Sequence, residues 1–282
     1  MRAGRGGAID CRVQPCRKLI GWLAFVLTPL VPVRAADAPV WSTEGYGGER
    51  HVFSLGASRG FVVIPPRAGE GPAIPWVWYA PTINGYPNAR LHWLFSRLVS
   101  HGVALAGLDV GETYANPDAR RRFWAFYQEC RTRFRLAEKA CLLAQSRGGL
   151  NHFLFAAEHP AAVRCLAGIY PVMDLRSYPG LAKAAGAYGI PPEELAASLR
   201  EHNPIDNLRP LAGAGIPLLI LHGDGDALVP LAANSAVAAQ RYRALGGAVT
   251  LVVVRGKGHE EVPEFFESSA LLDFLLEQAR KD

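Results

Sequence analysis

Past residue 35 the chain has no excess of basic charge. Of thirty Lys and Arg and twenty-five Asp and Glu, six basic residues and one acid lie in the first 35 positions, so the remainder is formally neutral. A sequence pI near 9.0 therefore does not signify the basic face that a nucleic-acid partner requires. Cysteine is scarce too. Of five, Cys11 and Cys16 fall in that basic leader, which leaves Cys130, Cys141 and Cys165, an odd number in a chain too long to need a disulfide framework. Cys141 and Cys165 each begin an apolar run, so buried free thiols are expected, and no disulfide is predicted. Also lacking are internal repeats, low-complexity tracts and any linker dividing two domains. Nor is there a hydrophobic run long enough for a spanning helix: the longest, Leu19–Val33, has 15 residues and includes Pro29 and Pro32.

That run has a different meaning. It follows the basic pair Arg17-Lys18 and leads into Val33-Arg34-Ala35-Ala36, where small residues suit cleavage after Ala35. Residues 1–35 thus read as a secretory signal peptide, and the protein is expected outside the cytoplasm, periplasmic or extracellular, with no stable membrane anchor after cleavage.

What is present is a core-forming pattern. Half of the 282 residues are apolar, enough to bury a substantial interior. From residue 36 short apolar runs alternate with longer amphipathic ones. Expected strands are 51–55, 60–64, 76–80, 103–108, 141–145, 165–169, 217–222 and 250–254; the later ones are Val-, Ile- and Leu-rich without alternation, as strands covered on both faces are. Expected helices are 88–100, 117–138, 148–159, 192–201, 231–245 and 263–280. Strand–helix alternation implies an α/β fold with a mainly parallel eight-stranded sheet and helices on both faces. A Pro- and Gly-rich stretch at about 172–215 interrupts the rhythm and is expected to form a small lid inserted into a single domain at 36–282.

Three segments carry chemistry. In Leu142-Leu143-Ala144-Gln145-Ser146-Arg147-Gly148-Gly149 a strand runs into a turn and a helix, with small residues two before and two after Ser146; a nucleophile elbow needs that spacing so that backbones can approach closely. In His222-Gly223-Asp224-Gly225-Asp226-Ala227-Leu228-Val229-Pro230 a strand ends in an acidic turn, where a carboxylate can orient an imidazole. Asp224 and Asp226 lack a further His or Glu at ligand spacing, so no metal and no cofactor is expected. In Gly256-Lys257-Gly258-His259-Glu260 a histidine leaves the last strand, placed to act as general base and then general acid. The order Ser, Asp, His, with each residue at a strand's C-terminal end, suits a catalytic triad of Ser146, Asp226 and His259.

On these residues the sequence resembles the α/β-hydrolase superfamily, in particular its esterase and dienelactone-hydrolase-like or prolyl-oligopeptidase-like branch, from about residue 60 to the C-terminus. The resemblance implies the α/β-hydrolase fold. The His222–Pro230 pattern makes Asp226, rather than Asp224, the acid. An oxyanion hole is implied as well: the backbone N–H of Arg147 supplies one donor, and Thr82 is the candidate for the other, with Ala80 in reserve, because Pro81 has no N–H. Arg147, Glu112, Tyr114 and Tyr170, all at strand C-terminal ends, are candidates for substrate contact, while Trp76, Trp78 and Trp93 read as core. The expected activity is hydrolysis of a small-molecule or oligomeric carboxylic ester through an acyl-enzyme. A serine peptidase and a non-catalytic binding protein on the same fold are the alternatives. The ester reading rests on the lack of a large propeller domain ahead of the catalytic part.

Overall fold

The computed structural model describes Met1, residues 44–66 and residues 73–281, and the secondary structure belongs to one compact unit, Pro39–Asp282. The expected leader at 1–35 lies outside the described residues apart from Met1. Eight strands form one sheet: β1 Glu49–Leu55, β2 Ser58–Ile64, β3 Trp76–Thr82, β4 Ala104–Asp109, β5 Ala140–Gln145, β6 Val163–Ile169, β7 Leu218–Gly223 and β8 Val249–Val254. Their order is β1-β2-β4-β3-β5-β6-β7-β8; β2 runs antiparallel to β1 and β4, and the other pairs are parallel. No helix among the described residues is long and apolar enough to cross a membrane.

Side chains alternate between the faces of a strand, so a strand with apolar residues at every position needs cover on both sides. In β3, Trp76 and Trp78 enter one core, with Phe123, Phe126 and Phe155, beneath helices α2 (Pro117–Phe134), α3 (Gly148–Glu158) and α8 (Ser235–Ala244). Val77 and Tyr79 enter the other, with Phe95, Leu98 and Leu275, beneath α1 (His92–Ser100) and α10 (Ser269–Ala279). Trp76 and Trp78 are thus core. Trp93 lies at the second core's margin, its ring covered by the Arg97 guanidinium.

Several expected helices are shorter or divided. The 88–100 helix begins with a 3-10 turn at Ala89–Leu91, where the Asn88 side chain accepts the Arg90 N–H. The 117–138 helix ends at Phe134 because Arg135 turns left-handed. The 231–245 helix breaks at Asn234, whose carbonyl oxygen Oδ1 accepts the N–H groups of Met173 and Asp174, and the 263–280 helix divides into α9 (Pro263–Phe266) and α10 at Ser268, whose hydroxyl caps α10 through the Leu271 N–H. The expected 192–201 helix splits at Ser198. Residues 172–215 form short helices, among them α4 (Leu181–Tyr188), α5 (Pro192–Ala197), α6 (Leu199–His202) and α7 (Arg209–Gly213). Their apolar residues, including Leu175, Ala184, Leu195 and Leu199, pack with Leu150 and Leu154 of α3 and with Val229.

The strand order positions the site. The chain passes from β3 to β4 on one side, then crosses to β5 on the other. At such a reversal the loops following β3 and β5 part, which leaves a crevice at the strands' C-terminal ends.

Candidate active site

Ser146 occupies the tip of the turn between β5 and α3 with a left-handed backbone, φ +49°. A non-glycine residue pays for that conformation, so the surroundings must fix it. The Ser146 N–H donates to the Ile169 carbonyl at 3.0 Å, and its carbonyl accepts from Gly149 and Val172. The small residue two places on is a steric necessity: a Cβ on Gly148 would lie 2.1 Å from the Ala80 carbonyl oxygen.

The acidic turn after β7 and the loop after β8 approach one another just as closely. A Cβ on Gly223 would meet the Lys257 carbonyl at 2.1 Å, and the Gly225 N–H donates to that same oxygen. This contact brings His259 over Asp226. The Asp226 Oδ2 lies 2.8 Å from His259 Nδ1, and His259 Nε2 lies 2.9 Å from Ser146 Oγ. Asp224 has a separate task, accepting the Gly256 N–H at 2.6 Å to tie the two loops. The Tyr170 ring packs on the imidazole at 4.2 Å between centroids.

Asp226 is buried, and burial alone would raise its pKa. Hydrogen bonds from His222, His259 and the Val229 N–H outweigh that and hold the carboxyl well below the usual carboxylate range. His222, fully buried, lies with Nε2 2.8 Å from the Val229 carbonyl and 3.3 Å from Asp226 Oδ2, so Nε2 carries the proton; Nδ1 accepts from Ser235 Oγ at 2.6 Å. Both histidines that face Asp226 are donors to it. An ionised carboxylate in this position fixes the His259 tautomer and leaves Nε2 free to take a proton from Ser146 Oγ.

Ser146 and His259 open into a cavity of about 190 Å³, lined also by Pro81, Tyr86, Gln145, Arg147, Tyr170, Leu228 and Glu261. Of the residues expected at substrate, Arg147 and Tyr170 are here. Glu112, Tyr114 and Thr82 instead line a narrower adjoining cavity with Asn151 and Phe123, and Arg147 borders both. The Arg147 guanidinium pairs with Glu112 across that boundary. Thr82 is drawn aside because β3 extends through it and pairs it with Asp109, while its side chain packs toward Gly107. The reserve residue, Ala80, presents its carbonyl to Gly148. Arg147, next in sequence to Ser146, stands at the start of α3. Among the described residues lining the Ser146 cavity none comes from 172–215; the apolar residues of that insertion pack against α3.

Tyr86, Gln145, Leu228 and Glu261 are pocket residues that the sequence did not single out. Gln145 accepts the Tyr79 hydroxyl at 2.6 Å, and burial pushes the Tyr79 phenol up. Burial also raises Tyr170 and Tyr86, and the Glu261 carboxylate adds to both, so these phenols remain neutral. Cys130, Cys141 and Cys165 are buried free thiols away from this cavity.

The family model of the prolyl oligopeptidase family matches residues 123–282. No curated protein matches the sequence. Among solved structures, the fold is similar to an S-formylglutathione hydrolase from Agrobacterium tumefaciens (18% identity, TM-score 0.66, covering 83% of this chain and 95% of that one). It is likewise similar to a truncated carbohydrate esterase from gut microbiota (16%, TM-score 0.67, covering 84% and 99%). Dipeptidyl peptidase 4 of Porphyromonas gingivalis matches at 16% identity and TM-score 0.65 over 82% of this chain, which spans only 35% of that one. The fold is that of the α/β-hydrolases.

Proposed function

The chain belongs to the prolyl oligopeptidase family and is a hydrolase, and from that premise we propose that it is an exported serine hydrolase cleaving small carboxylic esters. One observation carries the reading: the unbroken relay from Asp226 through His259 to Ser146 Oγ, with contacts of 2.8 and 2.9 Å, opening on a cavity. His259 Nε2 takes the Ser146 proton as Oγ attacks the ester carbonyl. The oxyanion faces the Arg147 N–H, where the N-terminus of α3 adds partial positive charge. Collapse of the tetrahedral intermediate expels the alkoxide, which receives the proton from the imidazolium. Water, deprotonated by His259, then attacks the acyl-enzyme and frees Ser146.

Pocket size favours an ester over a peptide. At about 190 Å³ the cavity is smaller than the roughly 300–1,000 Å³ of ordinary ligand sites, and it suits a small acyl or alcohol group. Two solved structures that this chain spans nearly end to end are, by name, an S-formylglutathione hydrolase and a truncated carbohydrate esterase. The family's name and the dipeptidyl peptidase likeness favour a second reading, cleavage of an amide by the same relay. Export rests on the basic and apolar leader at 1–35.

The test is hydrolysis of p-nitrophenyl acetate and of an aminoacyl p-nitroanilide by the full chain, beside a folded Ser146→Ala variant. Ester turnover that disappears with Ser146 is the expected result. Turnover of the anilide alone would select the peptidase reading, and activity unaffected by the substitution would remove Ser146 as nucleophile.

A further inference from the structure

Glu261 is a carboxylate held in the catalytic cavity and aimed at no cation. Its two oxygens accept from Asn88 Nδ2 at 3.0 and 3.1 Å, and the Tyr86 hydroxyl is a third contact. Asn88 is itself fixed, since its Oδ1 caps the 3-10 turn through the Arg90 N–H. Together these contacts fix the position of the carboxylate. A carboxylate offers about four acceptor sites, so capacity remains on the pocket side. The guanidinium of Arg147, which also lines the cavity, is paired with Glu112. Among the described residues no Lys, Arg or His nitrogen forms an ion pair with Glu261. Glu261 is thus the lining carboxylate that pairs with no basic side chain: Arg147 pairs with Glu112, His259 bonds Asp226 and Ser146, and Tyr86, Gln145 and Tyr170 are neutral.

We infer that Glu261 is a specificity-determining residue that recognises a protonated amine on the substrate, so that the preferred ester carries a cationic group on its small acyl or alcohol part. A neutral ester leaves the carboxylate to be desolvated with nothing gained in return. An ammonium group gives it a charge-assisted hydrogen bond inside a partly enclosed site, where such bonds are strongest. The Asn88 contacts alone account for the loop being held; they do not account for a carboxylate lining the cavity, since an amide at 261 would hold Asn88 as well. This inference rests on the esterase reading and adds a substrate class to it.

Two isosteric pairs of esters test it with the full chain: glycine against propionate p-nitrophenyl ester, and the acetate of 2-aminoethanol against that of propanol. The measurement is the ratio of kcat/KM for the cationic to the neutral member, in the parent and in Glu261→Gln. Intrinsic reactivity cancels in that comparison. The ratio should fall by about tenfold or more in at least one pair, as expected for truncating one partner of a shielded charge pair. Equal ratios in both pairs, with hydrolysis still dependent on Ser146, would overturn the inference and leave the esterase reading standing. Should none of the four esters be cleaved, the esterase reading falls, and binding decides the role of Glu261. Ligand-observed NMR of the Ser146→Ala chain should then show propylammonium binding in preference to propanol, and Glu261→Gln should abolish the preference. No preference, or one that survives the substitution, would overturn it.

Discussion

His222 Nε2 stands 3.3 Å from Asp226 Oδ2, both side chains wholly out of contact with solvent, and this second imidazole faces the same oxygen that His259 uses. Asp226 thus has two imidazole donors on one oxygen, with the Leu228 and Val229 N–H groups on the other. Replacing it with Asn removes the charge and turns an amide N–H toward groups that are themselves donors. Asp226→Asn should lower kcat by roughly 10⁴-fold, as expected when a triad imidazole loses its orienting carboxylate. Stopped assays on an ester substrate, with circular dichroism to verify folding, would measure it; a kcat within tenfold of the parent would remove Asp226 from the relay.

The same group gives a pH dependence. A carboxyl whose folded pKa lies below its unfolded value of about 3.9 contributes stability above that value and loses it as pH falls toward the folded pKa. Urea midpoints should therefore decline below about pH 4 in the parent, and the decline should be smaller in Asp226→Asn.

His152 acts at higher pH. Fully buried beside Trp78 and Phe123, its pKa is pushed down to about 3 by burial, against a weaker pull from the Leu143 backbone. The unfolded chain binds a proton near its ordinary pKa of about 6.5, whereas the folded chain does not, so stability should fall as pH drops from about 6.5 toward 3. His152→Leu, which takes no proton in either state, should flatten the slope of urea midpoint against pH between 7 and 4. An unaltered slope would show that other groups produce it.

Gly148 is the steric weak point of the turn that carries Ser146. An added Cβ would lie 2.1 Å from the Ala80 carbonyl oxygen and 2.6 Å from the Pro81 nitrogen, both backbone atoms. Gly148→Ala should cost about 1–3 kcal/mol of stability, as overpacking does, and lower kcat/KM at least tenfold by displacing Ser146. A variant with parental activity would mean that the turn relaxes freely.

The three thiols supply a chemical probe of the core. Burial raises the Cys130 and Cys165 pKa values well above normal, and Cys141 is equally hidden. In a chain carrying Cys11→Ser and Cys16→Ser, Ellman's reagent should find no reactive thiol in the native fold and three after denaturation. Early reaction of one would place it on an opening element.

The strands and the three relay residues were legible because they depend on local signals. An unalternating apolar run, a glycine at the turn and a polar residue at the strand end are all read within about ten positions, as at Leu142–Gly149. Helix limits were less legible. Asn234 ends one helix by binding the backbone of Met173 and Asp174, sixty residues away in sequence, and no local pattern foretells that. Ser268 did carry a local signal, as an N-cap, that a continuous apolar periodicity concealed. The pocket wall had none. Asn88 and Glu261 are 173 positions apart and meet only because the loop after β3 and the loop after β8 converge above β5. Thr82 lines the adjoining cavity for a related reason: β3 continues through Pro81 into a pairing with Asp109.

Ser146, Asp226 and His259 all fall within the stretch shared with the family, residues 123–282, whereas Tyr86 and Asn88 lie ahead of it. The proposed selectivity draws on both lengths of chain: Glu261 comes from the matched stretch, and the Tyr86 and Asn88 that hold it come from ahead of it. A substitution within residues 83–88 would reseat Glu261 while removing no atom of the relay from Asp226 through His259 to Ser146.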